Sequence, residues 1–158
     1  MAKRNLSAEV LTRLAGKRLA TAESLTGGGI GQALTSVSGA SAVYAGGVIS
    51  YTNEVKHKVL GVPMEILERY GAVSLWTAGY MASGVRKLLN ADAAVSVTGL
   101  AGPGGDEFGN PVGTVFIGYA DGRISFAREY HFGGDRASVR EQTVCAALEL
   151  ILEVTHET

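Results

Sequence analysis

Hydrophobic residues recur along the chain with two spacings, and the spacing changes where the secondary structure is expected to change. Steps of three and four predict helices, whereas short apolar runs between loops predict buried strands. In chain order this pattern predicts a helix at about 6–14, a strand at 18–23, a helix from 29, a strand at 43–51, short helices at 52–60 and 63–69, a helix at 74–89, strands at 93–98, 112–120 and 123–132, and a helix at 135–155.

The order of these elements predicts the fold class. Helices and strands alternate through residue 98, and such alternation is typical of a sheet with helices on both faces. Asp121-Gly122 is a two-residue hairpin signal, so the last two strands should be antiparallel neighbours. We predict one domain over residues 1–158 with a three-layer α/β/α fold and a mixed, mostly parallel five-stranded sheet.

Three polar segments follow the first three predicted strands. They contain Ser24, the segment from Tyr51 to Lys56, and Thr98 with its glycine-rich loop. Ligands in such sheets gather outside the carboxyl ends of the parallel strands. If these strands are parallel, the three segments should meet at one edge.

The segment 21–29 reads Thr-Ala-Glu-Ser-Leu-Thr-Gly-Gly-Gly and passes from a strand into a helix. Glycines allow a ligand to approach the backbone closely, and the first N–H groups of a helix favour an anion. Ser24 is the candidate nucleophile, and Thr26, Gly27 and Gly28 are candidate substrate-binding residues. The simpler alternative is that Ser24 or Thr26 only caps the helix.

Lys56 is the candidate base. At about 100° per residue it falls within the apolar arc of its short helix, whereas His57 and Lys58 fall outside it. Burial would lower its pKa from about 10.4 toward the range of a general base, so it could deprotonate a serine. Tyr51 could hydrogen-bond both groups. The alternatives are a solvated lysine and a tyrosine that only packs at the strand end.

Thr98 and the loop 99–105 offer a hydroxyl and several backbone N–H groups. We predict that Thr98, Gly99, Gly102 and Gly104 contact substrate, because such concave backbone suits an oxyanion or a phosphate. A flexible connection is the alternative. The loop lacks the Gly-Lys-Ser/Thr of a nucleoside-triphosphate loop.

Arg136 and Arg140 are four residues apart near the start of the last helix, on the backward extension of its apolar stripe. Both should face inward or along the sheet edge. An inward arginine pairs with a carboxylate or with a ligand anion, here Glu23 or a substrate phosphate. We count both as candidate substrate-binding residues.

Composition narrows the class of partner. The formal charge is −1, from 14 basic and 15 acidic residues with no basic run, which argues against nucleic acid or a membrane as partner. No cluster has metal-ligand spacing, so neither a metal nor another cofactor is expected. With a single cysteine, no internal disulfide can form, and Met1–Arg4 do not open an apolar signal region. We expect a cytoplasmic protein with a small-molecule ligand.

Several segments together resemble the CinA carboxy-terminal domain family, which includes stand-alone nicotinamide-nucleotide amidases. They are Ala22-Glu-Ser-Leu-Thr-Gly-Gly28, Gly46-Gly-Val-Ile-Ser-Tyr-Thr-Asn-Glu-Val-Lys56, Gly71-Ala-Val-Ser74, Val97-Thr-Gly-Leu-Ala-Gly-Pro-Gly-Gly105 and Phe132-Gly-Gly-Asp-Arg136. The resemblance implies hydrolysis of nicotinamide mononucleotide to nicotinic acid mononucleotide and ammonia, a pyridine-nucleotide recycling step. It also implies that Ser24 is the nucleophile, that Lys56 and Tyr51 activate it, and that Thr98 lies in the site.

Two other interpretations remain open from the sequence. A non-catalytic module could bind a phosphorylated nucleotide in the same pocket, with a regulatory or competence-related role. A protein-interaction domain is the other interpretation, and it rests only on Trp76 and Tyr80. Both lie off the apolar stripe of their helix, which suits either packing against a loop or a subunit interface. We expect a homo-oligomer, with a dimer favoured.

Overall fold

The computed structural model describes residues 4–155, so the ends of the predicted domain 1–158, including Met1, lie outside the described part. The helices are α1 Leu6–Arg13, α2 Gly29–Thr35, α3 Asn53–Lys58, α4 Met64–Tyr70, α5 Leu75–Leu88 and α6 Arg136–Val154, with a short 3-10 helix at Ala40–Ala42. The strands are β1 Leu19–Glu23, β2 Tyr44–Ile49, β3 Ala93–Gly99, β4 Thr114–Asp121 and β5 Ser125–His131.

The strands form one five-stranded sheet in the order β2-β1-β3-β4-β5. Strand β1 pairs in parallel with both β2 and β3, whereas β4 is antiparallel to β3 and to β5. Four of the five strands therefore run in the same direction. This confirms the predicted mixed, mostly parallel sheet, and it brings the carboxyl ends of β1, β2 and β3 to one edge.

Helices cover both faces of the sheet, which confirms the three-layer prediction. Successive side chains of each central strand point to opposite faces of the sheet. Leu19 and Val95 pack in the core beneath α1, α2 and α6, whereas Ala20 and Ala94 pack with Met81 of α5. The alanines are small, so α5 can lie close to the sheet.

Polar side chains fix the start of several helices. The caps and the N–H groups that they accept from are Asn5 with Ala8, Thr52 with Val55, Ser74 with Thr77 and Asp135 with Ser138. Each lies at or next to the predicted start of its helix. The start of α3 matters most for function, because it sets the rotation of the helix that carries Lys56.

The hairpin between β4 and β5 is longer than its sequence signal predicts. The side chain of Asp121 accepts the N–H groups of Arg123 and Ile124 at 2.7 and 2.9 Å, so both residues belong to the turn. Ile124 is 44% exposed, and its predicted place on a strand face is wrong. An aspartate that binds the backbone two or three residues ahead competes with strand pairing.

The first turn of α5 also differs from the prediction. The apolar stripe of the helix predicted at 74–89 begins at Leu75 in the sequence, but Leu75 is exposed, and burial begins at Thr77 and Ala78. The ring of Trp76 stacks on Tyr70 at 5.4 Å between ring centroids, so part of it packs against α4. The predicted homo-oligomer stays a prediction.

Candidate active site

A cavity of about 330 Å³ lies at the carboxyl ends of β1 and β3. This volume is at the lower end of the roughly 300–1,000 Å³ typical of ligand pockets. Predicted site residues that line it are Ser24, Tyr51, Lys56, Thr98, Gly99, Gly102, Gly104 and Arg136. Ala72, Val73 and Leu100 add apolar wall. Eight of the predicted positions thus meet in one cavity.

Ser24 directly follows β1 and is only 7% exposed. Its N–H donates to the carbonyl of Val97 at 3.1 Å, which continues the pairing of β1 with β3 for one more residue. Its carbonyl accepts the N–H of Gly27 at 3.1 Å and closes a tight turn. Gly27 and Gly28 have φ values of 59° and 103°, which favour glycine and let the chain turn directly into α2.

Lys56 is fully buried, as the phase of its helix predicts. Its Nζ donates to the Ser50 carbonyl at 2.7 Å, to the Tyr51 carbonyl at 3.3 Å and to Ser24 Oγ at 3.1 Å. Burial lowers the pKa of Lys56 to about 8, because the protonated amine loses its hydration. The amine is therefore poised to lose its proton near neutral pH.

Tyr51 contacts Lys56 differently from the expectation. Its main-chain carbonyl accepts from the amine, whereas its hydroxyl lies 3.5 Å from Nη2 of Arg136. The side chain is largely exposed, at 59%. The hydroxyl therefore faces the cavity rim in this structure, rather than bridging Ser24 and Lys56.

Thr98 and the first residues of the loop 100–113 form one wall of the cavity. The Thr98 hydroxyl donates to the Ala72 carbonyl at 2.7 Å and ties the end of β3 to the segment before α5. The base of the loop is closed by hydrogen bonds of 2.9 and 2.8 Å that join Leu100 with Thr114 and Gly113. Farther along, Asn110 donates to the Val73 carbonyl at 3.2 Å. The wall is thus fixed at its base and at Asn110, whereas residues 107–109 at the tip of the loop are exposed.

Arg136 brings a guanidinium to the rim of this cavity, which Lys56 also lines. Its Nη1 donates to the Gly102 carbonyl at 2.8 Å, which links the start of α6 to the glycine-rich loop. The side chain is exposed at the rim beside Tyr51. It is therefore available to an anionic group that extends out of the cavity.

The sequence analysis missed the structural role of Glu23. Its buried carboxylate accepts the hydroxyl of Thr26 at 2.6 Å and the N–H groups of Ile30 and Gly31 at 2.8 and 3.0 Å. The start of α2, expected to favour a ligand anion, is occupied by this carboxylate. An acidic residue shortly before a glycine-rich helix start is the signal that could have revealed it.

Arg140 also has partners other than those weighed in the sequence. It donates to the carbonyls of Leu25 and Thr26 at 2.9 and 3.3 Å, and Glu23 is not its partner. Four predicted substrate-binding residues, Thr26, Gly27, Gly28 and Arg140, lie outside the cavity lining. They shape the turn that carries Ser24, and their contact with a substrate stays a prediction.

A larger depression of about 770 Å³ lies between α2 and α6 and includes Arg140 and Cys145. We place the candidate active site in the smaller cavity, because a buried amine and a hydroxyl meet there.

Within residues 4–155, no three His, Cys, Asp or Glu side chains are grouped so that they could hold a metal ion. No helix of this described part is long and apolar enough to cross a bilayer.

Comparison with known proteins identifies the family. The family model for the CinA C-terminal domain matches residues 3–155. The chain belongs to the CinA family. A CinA superfamily protein from Klebsiella pneumoniae 700603 has a TM-score of 0.94 and 34% identity, over 98% of this chain and 99% of that one. The competence/damage inducible protein CihA of Agrobacterium tumefaciens has a TM-score of 0.92 and 38% identity, over 99% of both chains.

Curated CinA relatives are longer than this chain. A putative competence-damage inducible protein of Thermoanaerobacter sp. (strain X514) is 46% identical over 146 residues, which cover 90% of this chain and 35% of that protein. A CinA-like protein of Thermosynechococcus vestitus is 47% identical over 91% of this chain and 36% of its own length. The chain thus spans about a third of these relatives, and their names state no reaction.

Proposed function

We propose that this chain hydrolyses the carboxamide of nicotinamide mononucleotide to nicotinic acid mononucleotide and ammonia, with Ser24 as the nucleophile. The observation that carries the proposal is the 3.1 Å contact between Lys56 Nζ and Ser24 Oγ inside a cavity. A serine needs an adjacent base to attack an amide, and a lysine serves as that base only when its pKa is lowered.

The partners of Lys56 suit the neutral amine. A neutral amine has two N–H donors and one lone pair, and the carbonyls of Ser50 and Tyr51 can take both donors. The lone pair of the amine is then left to point toward Ser24 Oγ, so the serine hydroxyl can donate to it. Burial, with main-chain carbonyls and the Ser24 hydroxyl as the contacts of the amine, keeps the pKa of Lys56 at about 8, within the working range of a general base.

The reaction then follows acyl transfer. Ser24 Oγ attacks the carboxamide carbon while its proton passes to Lys56, and a tetrahedral intermediate forms. Lys56 returns that proton to the nitrogen, the C–N bond breaks, and ammonia leaves an ester on Ser24. Water then attacks the ester with Lys56 as base, which releases the acid and the free serine.

The rest of the substrate requires an anchor outside the cavity. The pyridine ring and its carboxamide can enter between the apolar wall residues, while ribose and phosphate extend to the rim. Arg136 lies at that rim, and a guanidinium can bind a phosphate through two parallel hydrogen bonds. The exposed ring of Tyr51 beside it offers an aromatic face to the cationic pyridinium.

The deciding experiment is ammonia release from nicotinamide mononucleotide. Wild type should turn over, and Ser24→Ala and Lys56→Met should each lose at least about 1,000-fold in kcat. Lys58→Met is the matched control, because Lys58 lies on the same helix with its side chain 69% exposed. A metal chelator should leave the rate unchanged.

A non-catalytic module that binds a phosphorylated nucleotide is the other outcome of this test. Binding of nicotinamide mononucleotide by wild type without ammonia release would favour it, and sustained turnover by Ser24→Ala would exclude the covalent mechanism. The cytoplasmic location and the place in pyridine-nucleotide recycling follow from this proposal and stay predictions. Competence is mentioned only in the names of the relatives, and the proposal assigns no such role to this chain.

A further inference from the structure

Arg140 of α6 holds the turn after Ser24 from outside the cavity. Its Nε donates to the Leu25 carbonyl at 2.9 Å, and its Nη2 donates to the Thr26 carbonyl at 3.3 Å. The same guanidinium lies over Gly27, 3.6 Å from the position that a Cβ there would occupy. One side chain, 114 or 115 residues away in sequence, thus contacts three consecutive residues of the turn.

These contacts determine where the backbone N–H groups of the turn point. In a trans peptide the C=O and the following N–H point in opposite directions, and cis geometry in the described chain occurs only at Gly102-Pro103. Because the Leu25 carbonyl faces Arg140, the N–H of Thr26 faces away from it. The N–H of Gly27 is likewise opposite the Thr26 carbonyl, and it reaches the Ser24 carbonyl at 3.1 Å.

Three N–H groups in this turn, those of Leu25, Thr26 and Gly28, donate to no oxygen of residues 4–155, while those of Ser24 and Gly27 both do. Leu25 and Thr26 are the two that follow Ser24 directly. The turn is also held on its second side, because the Thr26 hydroxyl donates to the Glu23 carboxylate at 2.6 Å. Free N–H groups held rigidly beside a nucleophile are the parts of an oxyanion hole.

We propose that Arg140 is a positioning residue that fixes the N–H groups of Leu25 and Thr26 as donors to the oxyanion formed when Ser24 attacks. The inference rests on the proposed function, because an oxyanion arises only if Ser24 adds to a carbonyl carbon. It assigns Arg140 an effect on the transition state through the backbone, in place of the direct phosphate contact expected from the sequence. Arg136 remains the anion anchor at the rim.

The test compares Arg140→Met and Arg140→Lys with wild type for hydrolysis of nicotinamide mononucleotide. Arg140→Met should lose about 100-fold in kcat, the effect of weakening an oxyanion hole, with KM within about threefold of wild type. The pH midpoint should not move, because the contacts of Lys56 are intact. Arg140→Lys should recover part of kcat, since an ammonium can still donate to one carbonyl.

Arg13→Met is the matched control. Arg13 also donates to a main-chain carbonyl, that of Leu152 at 2.9 Å, but it lies on α1 and outside the cavity. Its loss should lower Tm without changing kcat. If Arg140→Met only lowers Tm in the same way, or raises KM at unchanged kcat, the positioning role is overturned.

Labelling of Ser24 by a fluorophosphonate separates this inference from the function on which it rests. Wild type should be labelled and should release ammonia, and Arg140→Met should be labelled more slowly, because the phosphonyl oxygen uses the same donors. No label and no turnover in wild type would overturn the proposed function together with the inference. Turnover and labelling that are equally fast in wild type and Arg140→Met would overturn the role of Arg140 alone.

Discussion

The amine of Lys56 lies 3.1 Å from the hydroxyl of Ser24, and its two other contacts are main-chain carbonyls. Carbonyl oxygens solvate an ammonium ion without offering a full negative charge. Burial is therefore the main influence on the pKa of Lys56, and it lowers that pKa to about 8. Four predictions follow from this pair and from the groups that surround it.

The first concerns the pH dependence of hydrolysis. The reactive form has a neutral Lys56, so kcat/KM should rise about tenfold per pH unit below pH 8 and level off above it. Initial rates of ammonia release between pH 5.5 and 9.5 measure the midpoint. A flat profile across this range would mean that Lys56 does not act as the base.

The second concerns stability. The folded-state pKa of Lys56, about 8, is below its ordinary value of 10.5, so the unfolded chain binds more protons between these pH values and stability rises with pH across that window. Below about pH 8 the full cost of the buried charge is present. Lys56→Met should therefore stabilise the fold by on the order of 1–3 kcal/mol at pH 7. The carbonyls of Ser50 and Tyr51 lose their donor in this variant, which reduces the gain.

Urea unfolding of Lys56→Met at pH 7 and pH 10.5 measures this effect, with Lys58→Met as control. The gain should shrink at the higher pH for Lys56→Met, whereas Lys58→Met should stay within about 0.5 kcal/mol of wild type at both. Destabilisation of Lys56→Met that is the same at both pH values would contradict the expected charge effect.

The third concerns substrate binding at the rim. Arg136→Gln should raise KM for nicotinamide mononucleotide by about 10- to 100-fold with little change in kcat, because a charged hydrogen bond to phosphate is lost. Nicotinamide riboside lacks the phosphate, so its KM should not respond. Arg123→Gln is the control, since Arg123 lies in the hairpin at the opposite edge of the sheet. An equal loss for both substrates would remove Arg136 as the phosphate anchor.

The fourth concerns the carboxylate of Glu23, the residue directly before Ser24. The Glu23 carboxylate accepts three donors, and Glu23→Gln replaces one of its two oxygens by an NH₂ group, which cannot accept them. This substitution should lower the free energy of unfolding by about 1–3 kcal/mol. Thermal and urea unfolding measure the loss. Glu54→Gln, whose side chain is 73% exposed, should change stability by less than about 0.5 kcal/mol. Similar stabilities for the two variants would show that Glu23 does not anchor α2.

Local patterns were sufficient to predict the sheet, most helix starts and the inward direction of Lys56. The phase of α3 depends on residues within one helix, and Thr52 fixes its start, so the information is contained in a short segment. The parallel direction of the first three strands then placed Ser24, Lys56 and Thr98 together. These parts of the site follow from short-range rules and strand order.

The partners of polar groups were harder to predict. Arg140 was expected to face inward, but nothing near it in sequence indicates that its acceptors are the carbonyls of Leu25 and Thr26. Backbone carbonyls have no signature in the sequence, whereas carboxylates do. The sequence analysis therefore weighed only anionic partners for Arg140, which were Glu23 and a substrate phosphate. The sequence predicted that the Tyr51 hydroxyl could hydrogen-bond Ser24 and Lys56, whereas it lies beside Arg136. Its direction depends on the rotamer of Tyr51 and on Arg136, neither of which is evident from the local sequence.

The antiparallel direction of β4 has a consequence for how this family can diversify. Because β4 begins at the edge where β3 ends, the loop 100–113 returns to the sheet at its own base, and its first residues, 100–102 and 104, contribute to the lining of the cavity. Residues can be inserted at its exposed tip without a shift in strand register or in the contacts of Lys56. Grafting the corresponding loop from a relative should therefore change the lining of the cavity, while Lys56 and Ser24 keep their geometry.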